Sequence, residues 1–243
     1  MHASNKPQAP EALGDAAGAT PHAIVVRALW SGAIGCTVRC VPTRRTVLAQ
    51  VGEQCWFGKW RTGERRSAAA EWHWLHVLPT LGLRTPAPIA WLGRGRRTLL
   101  ITAASTGRAL DAWATDAHRE GWLPQLVAWA CANIAPAVRT LHARGLVYRD
   151  LYWNHVFADD PRLGGAPSFL DVERVFRPRW RRRRWIVKDL AGLVSSLPVP
   201  VRSRDQLRFL RAYLQAPLRS SRSLARAIVA KAARIARHAP RYG

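Results

Sequence analysis

One string constrains this chain more than any other: Leu141-His142-Ala143-Arg144-Gly145-Leu146-Val147-Tyr148-Arg149-Asp150-Leu151-Tyr152-Trp153-Asn154-His155-Val156-Phe157. Apolar residues at helical spacing (Leu126, Ala130, Ile134, Ala137, Val138, Leu141) run up to it, and Gly145 supplies the helix stop. A short apolar stretch then delivers Arg-Asp-Leu, with Asn154 and His155 four and five residues after Asp150. Sixteen residues past His155, a short apolar strand over Ser168 to Val172 carries a second carboxylate, Asp171. A carboxylate presented on a loop between a helix and a strand requires both kinds of element close together, so the chain reads as α+β.

Upstream, residues 1–22 are Ala-, Pro- and Gly-rich and read as a disordered tail. Ile24 to Cys40 has a strand-like pattern, broken by Gly32 and Gly35. Thr46 to Val51 and Gln54 to Trp60 form a hairpin around Gly52-Glu53, with Lys59 on its second strand. A helix is predicted over Ser67 to Leu78, with Glu71 in its first turns, and then a strand pair, Ile89 to Leu92 and Thr98 to Ala103. Beyond Gly107 the character is helical, with further helices over Lys188 to Ser196, Asp205 to Leu214 and Leu224 to Arg237. The reading is a small antiparallel sheet lobe with one helix over residues 23–104 and a larger, mainly helical lobe over 105–243. A ligand cleft is expected between the lobes.

Composition narrows the function. Apolar residues make up 48% of 243, with 12 Trp, enough for a substantial core. No stretch of 18 apolar residues is present, the first residues lack the pattern of a secretory signal, and four Cys are too few for a disulfide framework. These features predict a cytoplasmic setting. The net charge is +23, of which residues 172–243 carry +16. Such a region calls for an anionic partner: nucleic acid, an anionic membrane surface or a phosphorylated substrate. Only four of the 38 basic residues are Lys, namely Lys6, Lys59, Lys188 and Lys231, which makes the place of each worth asking about.

Lys59 on a strand, Glu71 on the next helix, Asp150 in a loop and Asp171 at a strand end follow the layout of a kinase-like phosphotransferase. There the loop carboxylate takes or orients the acceptor hydroxyl proton, and the later one holds magnesium against the phosphates. Singly each residue has a bland reading, a capping carboxylate or a solvated strand end. In this order and at these separations they support one another.

The stretch Tyr-Arg-Asp-Leu-Tyr-x-x-His-x-Phe at 148–157 resembles the lipopolysaccharide core heptose and Kdo kinase family (WaaP/InaA-like), which has a His where protein kinases have Asn. Phe57-Gly58-Lys59-Trp60, Ala70-Glu71-Trp72, Leu170-Asp171-Val172-Glu173 and Lys188-Asp189-Leu190 agree with it, and the likeness spans residues 44–213. The resemblance implies a protein-kinase-like bilobal fold, ATP and Mg2+ as cofactors, and a heptose or Kdo hydroxyl of the lipopolysaccharide inner core, carried on lipid A, as acceptor. It carries over Asp150 as catalytic base, Asp171 as metal ligand, Lys59 as phosphate contact and Glu71 as its partner. His155 falls at the second metal-side position, with Asn154 as a rival, and Asp189 braces the catalytic loop. Tyr148 replaces the usual His, read as a packing change. In the absence of a G-x-G-x-x-G, Gly32-Ala33-Ile34-Gly35 is the only candidate phosphate-covering turn.

The run Arg-Pro-Arg-Trp-Arg-Arg-Arg-Arg at 177–184 and the basic face of the last helix (Arg222, Arg226, Arg234, Arg237, Arg241) predict contact with an anionic membrane surface. The expected location is therefore cytoplasmic and peripheral on the inner membrane. Most of the Trp residues are read as core or lobe-interface residues, with flanking of substrate as the alternative for Trp153 inside the catalytic loop. A kinase acting on a protein or a small metabolite is the first alternative. A non-enzymatic nucleic-acid-binding protein, suggested by the charge, is disfavoured by intact Lys59, Glu71, Asp150 and Asp171, and no nucleic-acid partner is expected.

Overall fold

A computed structural model describes residues 21–63, 65–216 and 222–238. The described residues divide into two compact units, the first running to residue 77 and including 86–105, the second comprising 78–85 and those from 106 onward. Most of the segment read as a disordered tail, and Arg241 of the basic face, lie outside the described residues.

The first unit is built on a five-stranded antiparallel sheet of β1 (Cys36–Val41), β2 (Arg44–Val51), β3 (Gln54–Thr62), β4 (Pro88–Arg94) and β5 (Arg97–Ala103), in the order β1-β2-β3-β5-β4. The β2–β3 hairpin closes on Gly52, whose φ of 59° suits a residue without Cβ. Two helices accompany the sheet where one was expected: α1 (Pro21–Ser31) and α2 (Arg65–Thr80). The Ile24-Val25-Val26 run favours a strand by propensity. Val26 and Leu29, three residues apart on a helix, instead bury against Val47, Trp56, Trp60 and Ile101 of the sheet. Tertiary burial outweighs the weak local preference. Gly32 then ends the helix: its N–H donates to the Leu29 carbonyl, and the Ala33 N–H donates to that of Ala28. Gly32 to Gly35 is thus a helix cap leading into β1, not a turn between strands, which corrects its reading as a phosphate-covering turn. The β1–β2 turn is Pro42-Thr43 and contains no glycine.

The second unit contains α3 (Leu110–Arg119), α4 (Leu123–Ala143), α5 (Arg182–Ser195), α6 (Ser203–Leu214) and α7 (Arg222–His238). A small sheet of β6 (Arg108–Ala109), β7 (Val156–Ala158) and β8 (Ser168–Phe169) joins them. Gly107, with φ 77°, admits no side chain, because a Cβ there would lie 2.1 Å from the Ala158 carbonyl oxygen. Helix α6 packs on α4, and α7 packs on α5 through Ile228 and Ala232. An apolar cavity of about 310 Å³ lies among these helices, lined in part by Leu126, Leu193, Phe209 and Val229. Trp153 lines the same cavity and is buried, its indole N–H donating to the Leu193 carbonyl at 2.8 Å. This placement favours core packing over the substrate-flanking alternative. Among the described residues no helix is long and apolar enough to cross a membrane.

Candidate active site

In the first unit, Lys59 and Arg61 stand two residues apart on β3 and so share a face of the sheet. Both reach Glu71 on α2. Lys59 Nζ donates to Oε1 at 2.6 Å, and Arg61 Nη2 donates to Oε2 at 3.0 Å. Glu71 is 1% exposed, whereas the Lys59 side chain is 21% exposed. A buried carboxylate is stable only when paired, and two cations do that here. The arrangement fixes the Lys59 ammonium on the partly solvated side of the pair. The Lys59–Glu71 pairing was legible in the sequence. Arg61 was missed, although strand alternation places it beside Lys59.

In the second unit, α4 ends and the chain enters Tyr148-Arg149-Asp150. Arg149 is left-handed at φ 76° and Asp171 at φ 54°. Such backbone costs about 1–3 kcal/mol per residue and persists only where neighbours fix it. For Arg149 the neighbour is Asp189 on α5, which is 0% exposed. Its Oδ1 accepts from the Arg149 N–H and its Oδ2 from the Tyr148 N–H, both at 2.6 Å. His142 Nε2 lies 3.1 Å from the same Oδ2, and His142 Nδ1 lies 2.9 Å from the Tyr213 hydroxyl. The carboxylate can only accept, so Nε2 carries a hydrogen, and with a neutral ring donation runs from Tyr213 through His142 to Asp189. Burial pushes the Tyr213 phenol up to about 12, which keeps it a donor. Helix α5 comes this close to the loop because residue 192 is glycine: a Cβ there would lie 2.5 Å from the Leu151 carbonyl oxygen.

Tyr148 does more than fill space. It is fully buried, packs against Phe169 with ring centroids 6.0 Å apart, and its hydroxyl donates to the Leu170 carbonyl. It thus ties the Asp150 loop to the residue before Asp171. The β7–β8 pairing makes a second tie, for Val156 faces Phe169 and the Leu170 N–H donates to the His155 carbonyl.

That register brings His155 Nε2 to 3.7 Å from Asp171 Oδ2. His155 Nδ1 is 2.9 Å from the Asp150 carbonyl oxygen, which can only accept, so Nδ1 carries the hydrogen. In the neutral ring, Nε2 then turns a lone pair toward a carboxylate, and a cation between the two relieves the repulsion. A metal-ligating His commonly holds a backbone carbonyl through its other nitrogen in this way. The donor set fits a divalent cation, with Asp171 as the oxygen ligand that magnesium prefers. Asn154, the rival to His155, lies exposed in the 3-10 turn Trp153–His155.

Asp150 itself is held by two groups that spacing did not suggest. Arg174 Nη1 donates to Oδ1 at 3.0 Å and to Oδ2 at 2.8 Å. Lys188 Nζ lies 3.8 Å from Oδ1 and donates to the Arg149 carbonyl at 2.8 Å. Burial pushes the Lys188 ammonium below the usual lysine range, while Asp150 pulls the other way. Tyr152, two residues past Asp150, packs edge-on against His155, and burial, with Asp150 nearby, raises its phenol. The sequence singled out Lys188 by the rarity of lysine and within Lys188-Asp189-Leu190, but gave it no contact with Asp150.

Comparison with known proteins agrees with this geometry. The lipopolysaccharide kinase (Kdo/WaaP) family model matches residues 49–213. The lipopolysaccharide core heptose(I) kinase WaaP of Escherichia coli (strain K12) is 28% identical over 212 residues, covering 76% of this chain and 80% of that protein. The Pseudomonas aeruginosa protein of the same description is 30% identical over 167 residues, 63% of this chain and 61% of that one. Among solved structures, WaaP in complex with acyl carrier protein superposes with a TM-score of 0.71 at 26% identity, covering 86% of this chain and 96% of that one. An aminoglycoside-3'-phosphotransferase of type VIII shares the fold, with a TM-score of 0.58 at 20% identity over 86% of this chain and 98% of that one. The matched segment runs from β2 to Tyr213, the last link in the chain of hydrogen bonds behind the Asp150 loop, and so takes in the candidate residues of each unit: the chain belongs to the lipopolysaccharide kinase (Kdo/WaaP) family and is an ATP-dependent kinase of α+β, kinase-like fold.

Proposed function

We propose that this chain transfers the γ-phosphoryl group of ATP to a hydroxyl of a heptose or Kdo sugar in the lipopolysaccharide inner core, with Asp150 as the base. The observation that carries the reading is the coupling of the Asp150 loop to Asp171 through Tyr148 and the β7–β8 pairing. Phosphoryl transfer is mainly positioning and charge neutralisation: a rigid pair of carboxylates supplies the positioning, and the cations they and Glu71 hold would supply the neutralisation. Asp150 orients the sugar hydroxyl and accepts its proton as the oxygen attacks phosphorus and the bond to ADP breaks. Arg174 occupies one edge of the carboxylate, which leaves acceptor sites on its other side. Lys59, kept in place by Glu71, contacts the phosphates. Asp171, with His155 beside it, would hold Mg2+, which when bound neutralises charge on the phosphates. Mass spectrometry of lipopolysaccharide from a deletion strain tests the activity. The expected result is loss of one phosphate from the inner core, and an unchanged core would overturn the reading.

The acceptor is lipid-linked, and we place the enzyme peripherally on the cytoplasmic face of the inner membrane. Arg181 to Arg184 are exposed, and Arg183 Nη2 donates to Ser223 at the start of α7 at 2.8 Å. The run therefore continues into α7, where Arg222, Arg226, Arg234 and Arg237 are exposed as well. Near an anionic bilayer each basic side chain contributes about 1 kcal/mol. Replacing Arg181, Arg183 and Arg184 by Gln should weaken binding to anionic vesicles by about 10²-fold and raise the KM for lipopolysaccharide. The KM for ATP should stay constant. Arg182 is retained because its guanidinium donates to the His142 carbonyl. Undiminished vesicle binding would remove the membrane role.

A further inference from the structure

Helix α5 sends two consecutive side chains into the same loop. Asp189 takes the N–H of Arg149, and Lys188 takes its carbonyl. Both polar groups of a left-handed, non-glycine residue are therefore held by one helix. The carbonyl belongs to the peptide that leads into Asp150, so the Lys188 ammonium fixes the plane from which Asp150 projects. The same nitrogen stands 3.8 Å from Asp150 Oδ1. The two cations at Asp150 are not equivalent. The Arg174 side chain is 41% exposed, whereas that of Lys188 is 23% exposed and anchored to backbone.

We propose that Lys188 is a positioning residue for phosphoryl transfer, clamping the Arg149–Asp150 peptide and aiming the Asp150 carboxylate. The proposal rests on the reading of Asp150 as the base. The choice of residue supports it. In a chain with 34 Arg and four Lys, this position keeps a lysine. One small ammonium can meet a single carbonyl and a neighbouring carboxylate together, whereas the planar fork of a guanidinium suits paired oxygens.

The test uses the full-length enzyme with ATP and lipopolysaccharide extracted from a strain deleted for this chain. Lys188→Met should lower kcat by about 10²-fold, the loss that a small misplacement of a catalytic group produces. The KM values for ATP and lipopolysaccharide should stay within about twofold, because neither site is lost. Lys188→Gln, which keeps a donor without the charge, should fall between Met and the parent. The double variant Lys188→Met, Asp150→Asn should be no slower than Asp150→Asn alone, since a residue acting through Asp150 has nothing left to position. Normal kcat in Lys188→Met, a loss that appears only as raised KM for ATP or lowered Tm, or losses that multiply in the double variant would each overturn the proposal. Full turnover in Asp150→Asn would instead remove the base assignment and this proposal with it.

Discussion

Asp150→Asn should cut turnover by about 10²–10⁴-fold, the range for removing a positioned general base. The variant is nearly isosteric. The loop around it is held by Asp189, Lys188 and Tyr148 through backbone groups that the substitution does not touch. The amide oxygen still accepts from Arg174, and only the second of that side chain's two contacts is lost. ATP affinity and Tm should therefore remain close to the parent values, so that the loss falls in kcat alone. Near-normal turnover, measured as phosphate transfer to lipopolysaccharide, would remove Asp150 from the mechanism.

The second large effect is expected at Asp171. Its backbone is left-handed at φ 54°, a conformation that Asn tolerates far better than Ala. Asp171→Asn is thus the cleaner variant, changing charge and leaving the turn intact. Calorimetry of ATP binding with and without Mg2+ should show the gain from magnesium in the parent and its loss in the variant. A carboxylate is the preferred ligand of this ion, and the neutral amide is a poor substitute. His155→Ala should cost less, because imidazole nitrogen is a minor magnesium ligand and the ring also holds the Asp150 carbonyl. Unaltered magnesium dependence in Asp171→Asn would end its assignment as the metal residue.

Residues that act through local order were readable from the sequence. Asp150 follows a helix stop and an apolar stretch, Asp171 comes two residues after a short strand (β8 stops at Phe169, short of the predicted Val172), and Lys59 and Glu71 sit on successive elements that must pack together. The contacts of Arg174 and Lys188 with Asp150 were not readable, because the two residues reach it from 24 and 38 positions away and no periodicity carries that distance. Helix α1 was misread for a related reason. Its β-branched run favours a strand, and only the sheet it covers makes a helix the better way to bury Val26 and Leu29. The glycines at 32 and 35 were a candidate phosphate-covering turn only for want of a glycine-rich motif, and the hydrogen bonds of Gly32 and Ala33 are those of a helix end. Trp153 had two readings, core packing and flanking substrate, because its neighbours in sequence carry the chemistry; its side chain turns into the apolar cavity, which favours packing.

The glycine at 192 has a bearing on motion. With α5 resting on the Leu151 carbonyl and the Tyr148 and Arg149 amides bonded to a buried side chain, the loop lacks a low-energy opening of its own. The Tyr148 and Arg149 amides should therefore exchange with solvent only when α5 lifts away, an event that would also expose Leu190 and Leu193. By secondary structure the segment is a loop. By its resistance to local unfolding it belongs with the helical core, in the same cooperative unit as α5. Substrate exchange is therefore expected to be accommodated by other segments, with Asp150, the proposed base, and the backbone that aims it held still from one turnover to the next.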